Sequence, residues 1–147
     1  MVISEGEGDK QQCVARASEE NELVTGGVCK GESACVPYYG VAQDCEVYQC
    51  LVMQPDCGVY WVPVGSPEEV PECAMQCGVN NDGVRIFVTR AKVNDSADYC
   101  AGKLAEGSGE GYFACDDEEV PAQEFEVLCV GDDAEGLDGA AKAVLCE

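Results

Sequence analysis

Twelve cysteines in 147 residues constrain this chain more than any other feature. Their number is even and they are spread along the whole length, which is typical of a full set of disulfides. A bridge that closes a loop of about 15 residues contributes roughly 3 kcal/mol by restricting the unfolded chain. We therefore predict that all twelve are paired: Cys13, Cys29, Cys35, Cys45, Cys50, Cys57, Cys73, Cys77, Cys100, Cys115, Cys129 and Cys146.

Metal binding and redox chemistry explain these cysteines less well. Structural zinc sites and thioredoxin-like centres use closely spaced pairs such as C-x2-C, often with histidine in the zinc sites. This chain has no histidine, and its close pairs are wider: Cys29/Cys35, Cys45/Cys50 and Cys73/Cys77. Twelve cysteines allow on the order of ten thousand complete pairings, and their spacing alone does not select one of them.

Composition makes the disulfides energetically necessary. The chain has twenty Val but only six Leu, two Ile and three Phe, and its formal net charge is −21. Self-repulsion opposes compaction, and hydrophobic burial alone predicts marginal stability. Disulfides persist in oxidising compartments, so we predict a secreted or extracellular protein. No secretion signal is visible in the first ten residues, and no apolar run approaches the roughly 18 residues of a membrane span.

The predicted fold is a small disulfide-rich, mainly β domain with short antiparallel strands, hairpins and one or two short helices. Residues 1–12 are expected to be a flexible leader, and 13–147 a single domain, with two pseudo-repeated lobes (about 13–65 and 66–147) as the alternative. Short Val-rich and aromatic stretches between turn residues predict the strands. They are Cys45–Met53, Cys57–Val64, Val84–Val93, Gly111–Cys115, Phe125–Val130 and Ala140–Cys146.

Two segments carry helix signals. Ser66 followed by Pro67 and two glutamates resembles a helix start, and a helix restarting at Pro71 would run to Gly78. That helix would place Cys73 and Cys77 on one face. A second short helix is expected from Asp95 or Ser96 through Leu104.

A weak internal similarity suggests duplication. Ala34-Cys35, followed after six residues by Ala42–Val47, resembles Ala114-Cys115 followed by Ala122–Val127, at a spacing of 80 positions. The flanking cysteines do not keep this spacing, because Cys29 would correspond to Gly109. An ancestral two-unit repeat therefore remains one interpretation beside chance.

Catalysis is not expected. The absence of histidine excludes Ser-His-Asp and Cys-His nucleophilic arrangements. No carboxylate pair stands out among 29 acidic residues as a candidate general acid and base. We predict that the protein is not an enzyme and needs no cofactor.

Two acidic clusters are candidates for calcium, a hard cation that prefers several oxygen ligands. The candidate ligands are Asp116, Asp117, Glu118, Glu119, Asp132 and Asp133. Neither cluster matches the EF-hand loop pattern, and a solvated acidic face is the simpler interpretation.

The segment Val84–Val93 differs from the rest because it contains three of the eight basic residues. Its candidate partner-binding residues are Arg85, Phe87, Arg90 and Lys92. An edge strand protected by cations is the simpler interpretation. The alternative is a docking strand for an acidic surface on a partner or a second copy, which could propagate into an assembly.

The first cysteines are similar in spacing to the peritrophin-type chitin-binding module, through Cys13, Cys29, Cys35, Cys45, Cys57 and Cys73. The resemblance covers less than half of the chain. The segment between Cys29 and Cys35 lacks the family's aromatic residue, Cys45 is followed by Glu-Val where the family has Pro-x-Gly, and Cys50 is additional. The resemblance implies carbohydrate binding.

These observations predict a non-catalytic, secreted, disulfide-stabilised protein that acts as an extracellular structural or self-assembling component. The alternatives are a monomeric binding module (a signal, effector or inhibitor) and a surface module for calcium or carbohydrate. The expected partner is a protein or a second copy. Nucleic acid is excluded, because phosphate binding needs a basic face and the sequence pI is about 4.1.

Overall fold

A computed structural model describes residues 2–4, 12–29, 32–52, 58–65, 70–93, 98–115 and 118–130. These residues form thirteen β-strands and no helix. The strands are β1 Val2–Ser4, β2 Gln12–Glu19, β3 Glu22–Cys29, β4 Ala34–Tyr38, β5 Val41–Cys45, β6 Gln49–Cys50, β7 Val59–Val64, β8 Gln76–Val79, β9 Arg85–Ala91, β10 Cys100–Ala105, β11 Gly111–Cys115, β12 Glu118–Ala122 and β13 Phe125–Val130.

All strand pairs are antiparallel and belong to one sheet, in the order β1-β2-β3-β4-β5-β12-β11-β10-β9-β13-β7. In addition, β6 pairs with β2, and β8 pairs with β9. Two tight hairpins connect β2 to β3 and β4 to β5. Their turns need positive φ, which Glu20 (46°), Asn21 (71°), Tyr39 (50°) and Gly40 (80°) adopt.

The strand registers repeat along the chain. The β1–β2 pairing Val2↔Cys13 returns 74 positions later as Gln76↔Phe87 between β8 and β9, with an irregularity at the same step. The β4–β5 pairing returns 77 positions later between β11 and β12, where Ala34↔Cys45 becomes Gly111↔Ala122. We call β1–β6 the first unit and β8–β13 the second unit.

The remaining strands obey the same correspondence. In the first unit Arg16 on β2 pairs with Gln49 on β6, and in the second unit Arg90 on β9 pairs with Glu126 on β13. The two units meet where Val41 of β5 pairs with Glu118 of β12. Each of these residues corresponds to the other at the 77-position spacing, so a pseudo-two-fold axis passes through this pair.

The correspondence differs from the 80-position similarity proposed from the sequence. At that spacing, Ala34 at the start of β4 would match Ala114 near the end of β11, and the hairpin turns would not align. The similarity that does agree with the registers is Val14–Ala17 (VARA) with Val88–Ala91 (VTRA). The proposed lobe boundaries, about 13–65 and 66–147, stay a prediction.

The two units pack against each other through β3 and β10. Thr25 is buried and its hydroxyl donates to the carbonyl of Gly102 at 2.7 Å. The close approach of neighbouring strands requires glycine at position 26 and at its counterpart, Gly102. A Cβ at Gly26 would overlap the carbonyl of Cys35, and a Cβ at Gly102 would overlap the carbonyl of Tyr112.

Three apolar clusters form the core. One lies in the second unit around Leu104, Phe113 and Val127, and one lies in the first unit around Val24 and Val36. The third joins the units and contains Val14 and its counterpart Val88, together with Leu51 and its counterpart Leu128.

The predicted helices are wrong. Within the segment expected to be helical up to Gly78, residues 76–79 form β8, and Val88 donates its amide to Met75 at 3.1 Å. Residues 100–105 form β10, not the second helix. In both places long-range pairing with β9 supplies the backbone hydrogen bonds that a helix would have supplied locally. Residues 66–69 and 94–97 lie outside the described residues.

The strand predictions were better. Gly111–Cys115 and Phe125–Val130 coincide with β11 and β13, and Val84–Val93 contains β9. Cys57–Val64 contains β7, whereas Cys45–Met53 is divided between the end of β5 and the two-residue β6. Ala140–Cys146 lies outside the described residues.

Two disulfides confirm that the protein is disulfide-bonded. They join Cys73 to Cys129 and Cys100 to Cys115, and both lie in the second unit or directly before it. Cys73 and Cys77 therefore do not share one helical turn. Cys77 lies on β8, where its sulfur contacts the carbonyl of Leu23 at 3.9 Å.

Candidate binding cleft

Two of the predicted partner-binding residues, Arg90 and Lys92, meet at an open cleft of about 360 Å³. We call it the arginine cleft. Strands β7, β9 and β13 form its walls, because β13 pairs with β7 on one side and β9 on the other. Its other lining residues include Pro63, Val64, Ala91, Tyr99, Phe125 and Glu126.

Arg90 is held on three sides. Its guanidinium donates to a carboxylate oxygen of Glu126 at 3.0 Å. Its Cζ lies 4.4 Å from the ring centre of Trp61 and 3.9 Å from that of Tyr99. Such stacked cations contribute up to about 2 kcal/mol when they are shielded from water. The side chain of Arg90 is only 17% exposed, so the arginine is a fixed part of the cleft wall.

Tyr99 completes this arrangement. Its hydrogen bond to Glu126, together with burial and the negative charge of Glu126, raises the pKa of the Tyr99 hydroxyl. The positive charge of Arg90 acts in the opposite direction. Glu126 is thus shared between the guanidinium of Arg90 and the phenol of Tyr99, and this sharing orients the Tyr99 ring against Arg90.

Lys92 supplies the exposed positive charge of the cleft. It is exposed, and its ammonium lies 5.0 Å from the ring centre of Tyr99. Among the described residues no carboxylate forms an ion pair with Lys92. The cleft therefore offers the accessible cation of Lys92 and the exposed carboxylate of Glu124 beside an apolar wall that includes Val64 and Phe125.

The other two predicted partner-binding residues lie elsewhere. Arg85 forms an ion pair with Glu106, and both side chains are about half exposed (48% and 47%). The hydrogen bond between them raises the pKa of Arg85 and lowers the pKa of Glu106. Phe87 is 3% exposed and belongs to the core. Moreover β9 has β8, β10 and β13 as neighbours, so it is not an edge strand.

A second group of charges lies near the pseudo-two-fold axis. The ammonium of Lys103 is 3.9 Å from a carboxylate oxygen of Glu119 and 5.0 Å from the ring centre of Tyr38. Burial lowers the pKa of Lys103, and the charges of Glu119 and Glu22 partly restore it. The other oxygen of Glu119 accepts the amide of Gly40 at 3.2 Å.

The predicted calcium ligands are only partly visible. Glu118 is exposed, whereas Glu119 contacts Lys103 and Gly40. Asp116, Asp117, Asp132 and Asp133 lie outside the described residues. In the part of the chain that the structure describes, no group of three or more acidic or cysteine side chains is arranged to hold a metal ion. The calcium site stays a prediction.

The cysteines outside the two disulfides belong mainly to the first unit. Cys13, Cys45 and Cys50 are thiols that share the apolar cluster of this unit. Burial and the hydrogen bond from Cys45 to Glu19 (3.2 Å) raise the pKa of the Cys45 thiol to about 12. Cys35 lies on β4 and Cys29 on β3, while Cys57 and Cys146 lie outside the described residues. Pairing beyond the two disulfides stays a prediction.

Three residues that contact Arg90 at the cleft were not predicted from the sequence as site residues: Trp61, Tyr99 and Glu126. They come from β7, from the residue before β10 and from β13, and only the register of the sheet brings them together. A signal was present in the sequence. Arg90 and Arg16 occupy the same place in VTRA and VARA, which marks the arginine as a repeated structural position.

The comparison with known families agrees with the repeated registers. A DM9 repeat matches residues 6–104, which is about two thirds of the chain. The protein belongs to the DM9 repeat family. The matched stretch contains both VARA and VTRA and extends through most of β10. No curated protein matches this chain.

Within the described ranges, no helix is long and apolar enough to cross a bilayer. The two disulfides are consistent with an extracellular DM9 repeat protein.

Proposed function

We propose that this DM9 repeat protein is a non-catalytic extracellular module that binds a protein partner through the arginine cleft. The observation that carries the proposal is the construction of the cleft. Glu126, Trp61 and Tyr99 hold Arg90 rigid, while Lys92 stays accessible. Rigid aromatic and arginine side chains beside an apolar wall are typical of protein-binding sites.

The size and openness of the cleft favour a protein over a small molecule. Its volume of about 360 Å³ lies at the low end for small-molecule sites, which usually enclose most of the ligand. In addition, β7 ends the order of the sheet, so its outer backbone has no strand neighbour among the described residues. A segment of a partner could contact this strand and insert one acidic side chain toward Lys92.

A binding module is favoured here over the self-assembly through residues 84–93 that the sequence suggested. That hypothesis needs accessible cations on a free strand. Arg85 and Arg90 both form ion pairs within the chain, and β9 already has strand neighbours on both sides. The lack of histidine in the whole sequence supports a non-catalytic role.

The test uses the pseudo-symmetry to supply its control. A photo-crosslinking amino acid at Lys92 is compared with the same group at Ser18, an exposed residue 74 positions earlier at the corresponding place in the first unit. Both full-length proteins are exposed to extracellular fluid of the source organism, and the crosslinked proteins are identified by mass spectrometry. We expect a partner that is captured at position 92 and not at position 18.

The chemistry of capture is checked with two further variants. Arg90→Lys should weaken capture from a crosslinker at position 92, because lysine cannot reproduce the two-sided stacking. Glu118→Gln is the matched control, since Glu118 is exposed and distant in the sheet from the cleft. Equal capture at positions 92 and 18, or capture that is insensitive to Arg90→Lys, would contradict the proposal.

A further inference from the structure

The strand that follows the first unit pairs with the second unit. Strand β7 comes after β6, the last strand of the first unit, yet it pairs with β13, the last strand of the second unit. Residues 51–58 connect Cys50 at the end of β6 to Val59 at the start of β7. The first unit therefore contributes a strand to the second unit through a short connection.

The pseudo-two-fold axis implies the reverse contribution. The axis exchanges the two units and therefore exchanges β6 with β13, so that Cys50 corresponds to Val127, 77 positions later. The counterpart of β7 then follows β13 in the chain and pairs with β6. At the same spacing of 77 positions from Val59–Val64, this counterpart is residues 136–141. The sequence extends to Glu147, so it is long enough to supply them, although they lie outside the described residues.

The backbone of β6 is oriented to accept such a strand. Leu51 donates its amide to the carbonyl of Val14 on β2 at 2.9 Å. Successive residues of an antiparallel pair direct their amide and carbonyl groups alternately toward and away from the neighbouring strand. The amide and carbonyl of Cys50 therefore point to the side opposite β2. In the second unit this is the side on which β7 pairs with Val127, the counterpart of Cys50.

We propose that residues 136–141 are the counterpart of β7 and pair antiparallel with β6 on the side opposite β2. Each unit then receives the strand that follows the other unit. The pairing Val127↔Val62 of β13 and β7 sets the register, and its counterpart is Cys50 opposite Gly139. The two residues exchange a pair of backbone hydrogen bonds. The proposed strand overlaps the one predicted from the sequence at Ala140–Cys146.

This register also places a carboxylate beside Arg16. In the second unit, Trp61 of β7 stacks on Arg90, with the guanidinium carbon 4.4 Å from the ring centre. Arg16 is the counterpart of Arg90, and the residue 77 positions after Trp61 is Asp138. Arg16 donates to the side chain of Gln49, and the proposed strand adds the carboxylate of Asp138. An aromatic ring and a carboxylate both bind a guanidinium, so each unit carries an arginine ligand at this position.

Photo-crosslinking in the full-length protein tests the pairing. A benzophenone amino acid replaces Val52, which is 64% exposed and stands opposite Leu137 in the proposed register. We expect a crosslink within one chain, at the mass of the monomer, to a peptide from residues 131–147. The same amino acid at Val41 is the control. Val41 is 43% exposed on β5, which β2, β3 and β4 separate from β6 in the strand order, so it should not reach that peptide.

A double-mutant cycle tests the contact between Asp138 and Arg16. Asp138→Asn should lower the midpoint of urea unfolding, and this shift should disappear when Arg16→Gln is already present. Asp82→Asn is the matched control, since Asp82 is exposed in the turn before β9. The control substitution should shift the midpoint equally with and without Arg16→Gln.

Hydrogen exchange gives a third readout. Gly139→Pro removes the amide that faces the carbonyl of Cys50, and exchange of the Cys50 amide should accelerate about tenfold or more. The amide of Leu51 is the internal control, because it bonds to Val14 and should keep its protection.

Three results would overturn the proposal. The first is that position 52 crosslinks to a second copy, to residues 53–57, or to no peptide from residues 131–147. The second is a shift from Asp138→Asn that is the same with and without Arg16→Gln. The third is an exchange rate of the Cys50 amide that Gly139→Pro leaves unchanged.

Discussion

The first and second units share one set of strand registers but differ in what stabilises them. The second unit contains Cys100–Cys115, is joined by Cys73–Cys129 to the segment before β8, and carries β7 on the outer side of β13. In the first unit, Cys13, Cys45 and Cys50 are thiols, and β6 is only two residues long. Among the described residues, the two units therefore share their backbone pairing, while the second unit has two disulfides and an additional outer strand.

Arg16 of the first unit and Arg90 of the second unit occupy corresponding positions, and their contacts illustrate the difference between the units. Arg16 donates to the side chain of Gln49 and to the carbonyl of Cys77, both at 2.7 Å. Arg90 instead pairs with the carboxylate of Glu126 and stacks on two rings. The first-unit arginine thus has neutral hydrogen-bonding partners, and the second-unit arginine has a charged one. Arg16 lines a small pocket together with Gln49 and Cys77, whereas Arg90 lines the larger arginine cleft.

The largest effect is expected from the disulfides of the second unit. Replacing Cys73 and Cys129 together by alanine opens a loop of 56 residues and should lower the free energy of unfolding by about 4 kcal/mol. The Cys100/Cys115 pair, with a separation of 15, should cost about 3 kcal/mol. Urea unfolding without reductant measures both. Cys13→Ala in the first unit is the control and should cost less than about 1.5 kcal/mol; an equal loss would remove the asymmetry between the units.

The next largest loss of stability is expected from two corresponding glycines, and it should be equal in the two units. Gly26→Ala and Gly102→Ala each place a Cβ against the backbone of the neighbouring strand, and each should lower the free energy of unfolding by about 3 kcal/mol. Gly109→Ala is the control, because its Cβ would meet nothing within 4 Å and its φ is not positive. Tolerance of alanine at one of the two glycines and not at the other would contradict the pseudo-two-fold relation.

Some of this fold could be predicted from the sequence. Strands β11 and β13 are short runs of valine and aromatic residues between glycine, proline and acidic residues, and their bounds were predicted correctly. The hairpin β2–β3 was missed because its turn, Glu20-Asn21, contains no glycine or proline although both residues have positive φ. Segments that became β8 and β10 carried helix signals, and pairing with β9 overrode them.

The candidate site could be predicted only in part. Arg90 and Lys92 stood out as cations on an acidic chain, but their neighbours Trp61 and Glu126 are 29 or more positions away. These contacts depend on the pairing of β13 with both β7 and β9, which sequence spacing does not reveal. The same long-range pairing placed Phe87 in the core and ended its candidacy as a surface residue.

A smaller difference in folding stability is expected between substitutions of Arg90 and Arg16. Arg90→Lys should lower the free energy of unfolding by about 2 kcal/mol, because the planar guanidinium loses its stacking on Trp61 and Tyr99. Arg16→Lys should cost about 1 kcal/mol, since Arg16 loses hydrogen bonds to the neutral acceptors of Gln49 and Cys77. Thermal unfolding of both variants gives the order, and a larger loss for Arg16→Lys would contradict the role assigned to the rings.

The smallest effect concerns the pH dependence of the second unit. Since Glu126 and burial raise the pKa of Tyr99, the folded protein holds this proton more tightly than the unfolded chain does. The resulting stability is fully present below the ordinary tyrosine pKa of about 10 and is lost as the pH rises through the folded pKa. The first unit has Leu23 at the corresponding position, which does not titrate.

Alkaline unfolding and the ultraviolet absorbance of tyrosinate test this difference. Stability should fall less steeply above pH 10 in Tyr99→Phe than in the unmodified protein. Glu126→Gln should lower the pKa of Tyr99 relative to the unmodified protein, because it removes the negative charge and weakens the hydrogen bond that retain the proton. If Glu126→Gln leaves the titration of Tyr99 unchanged, Glu126 does not hold the ring. The two units would then differ at Arg90 only through the stacking on Trp61 and Tyr99.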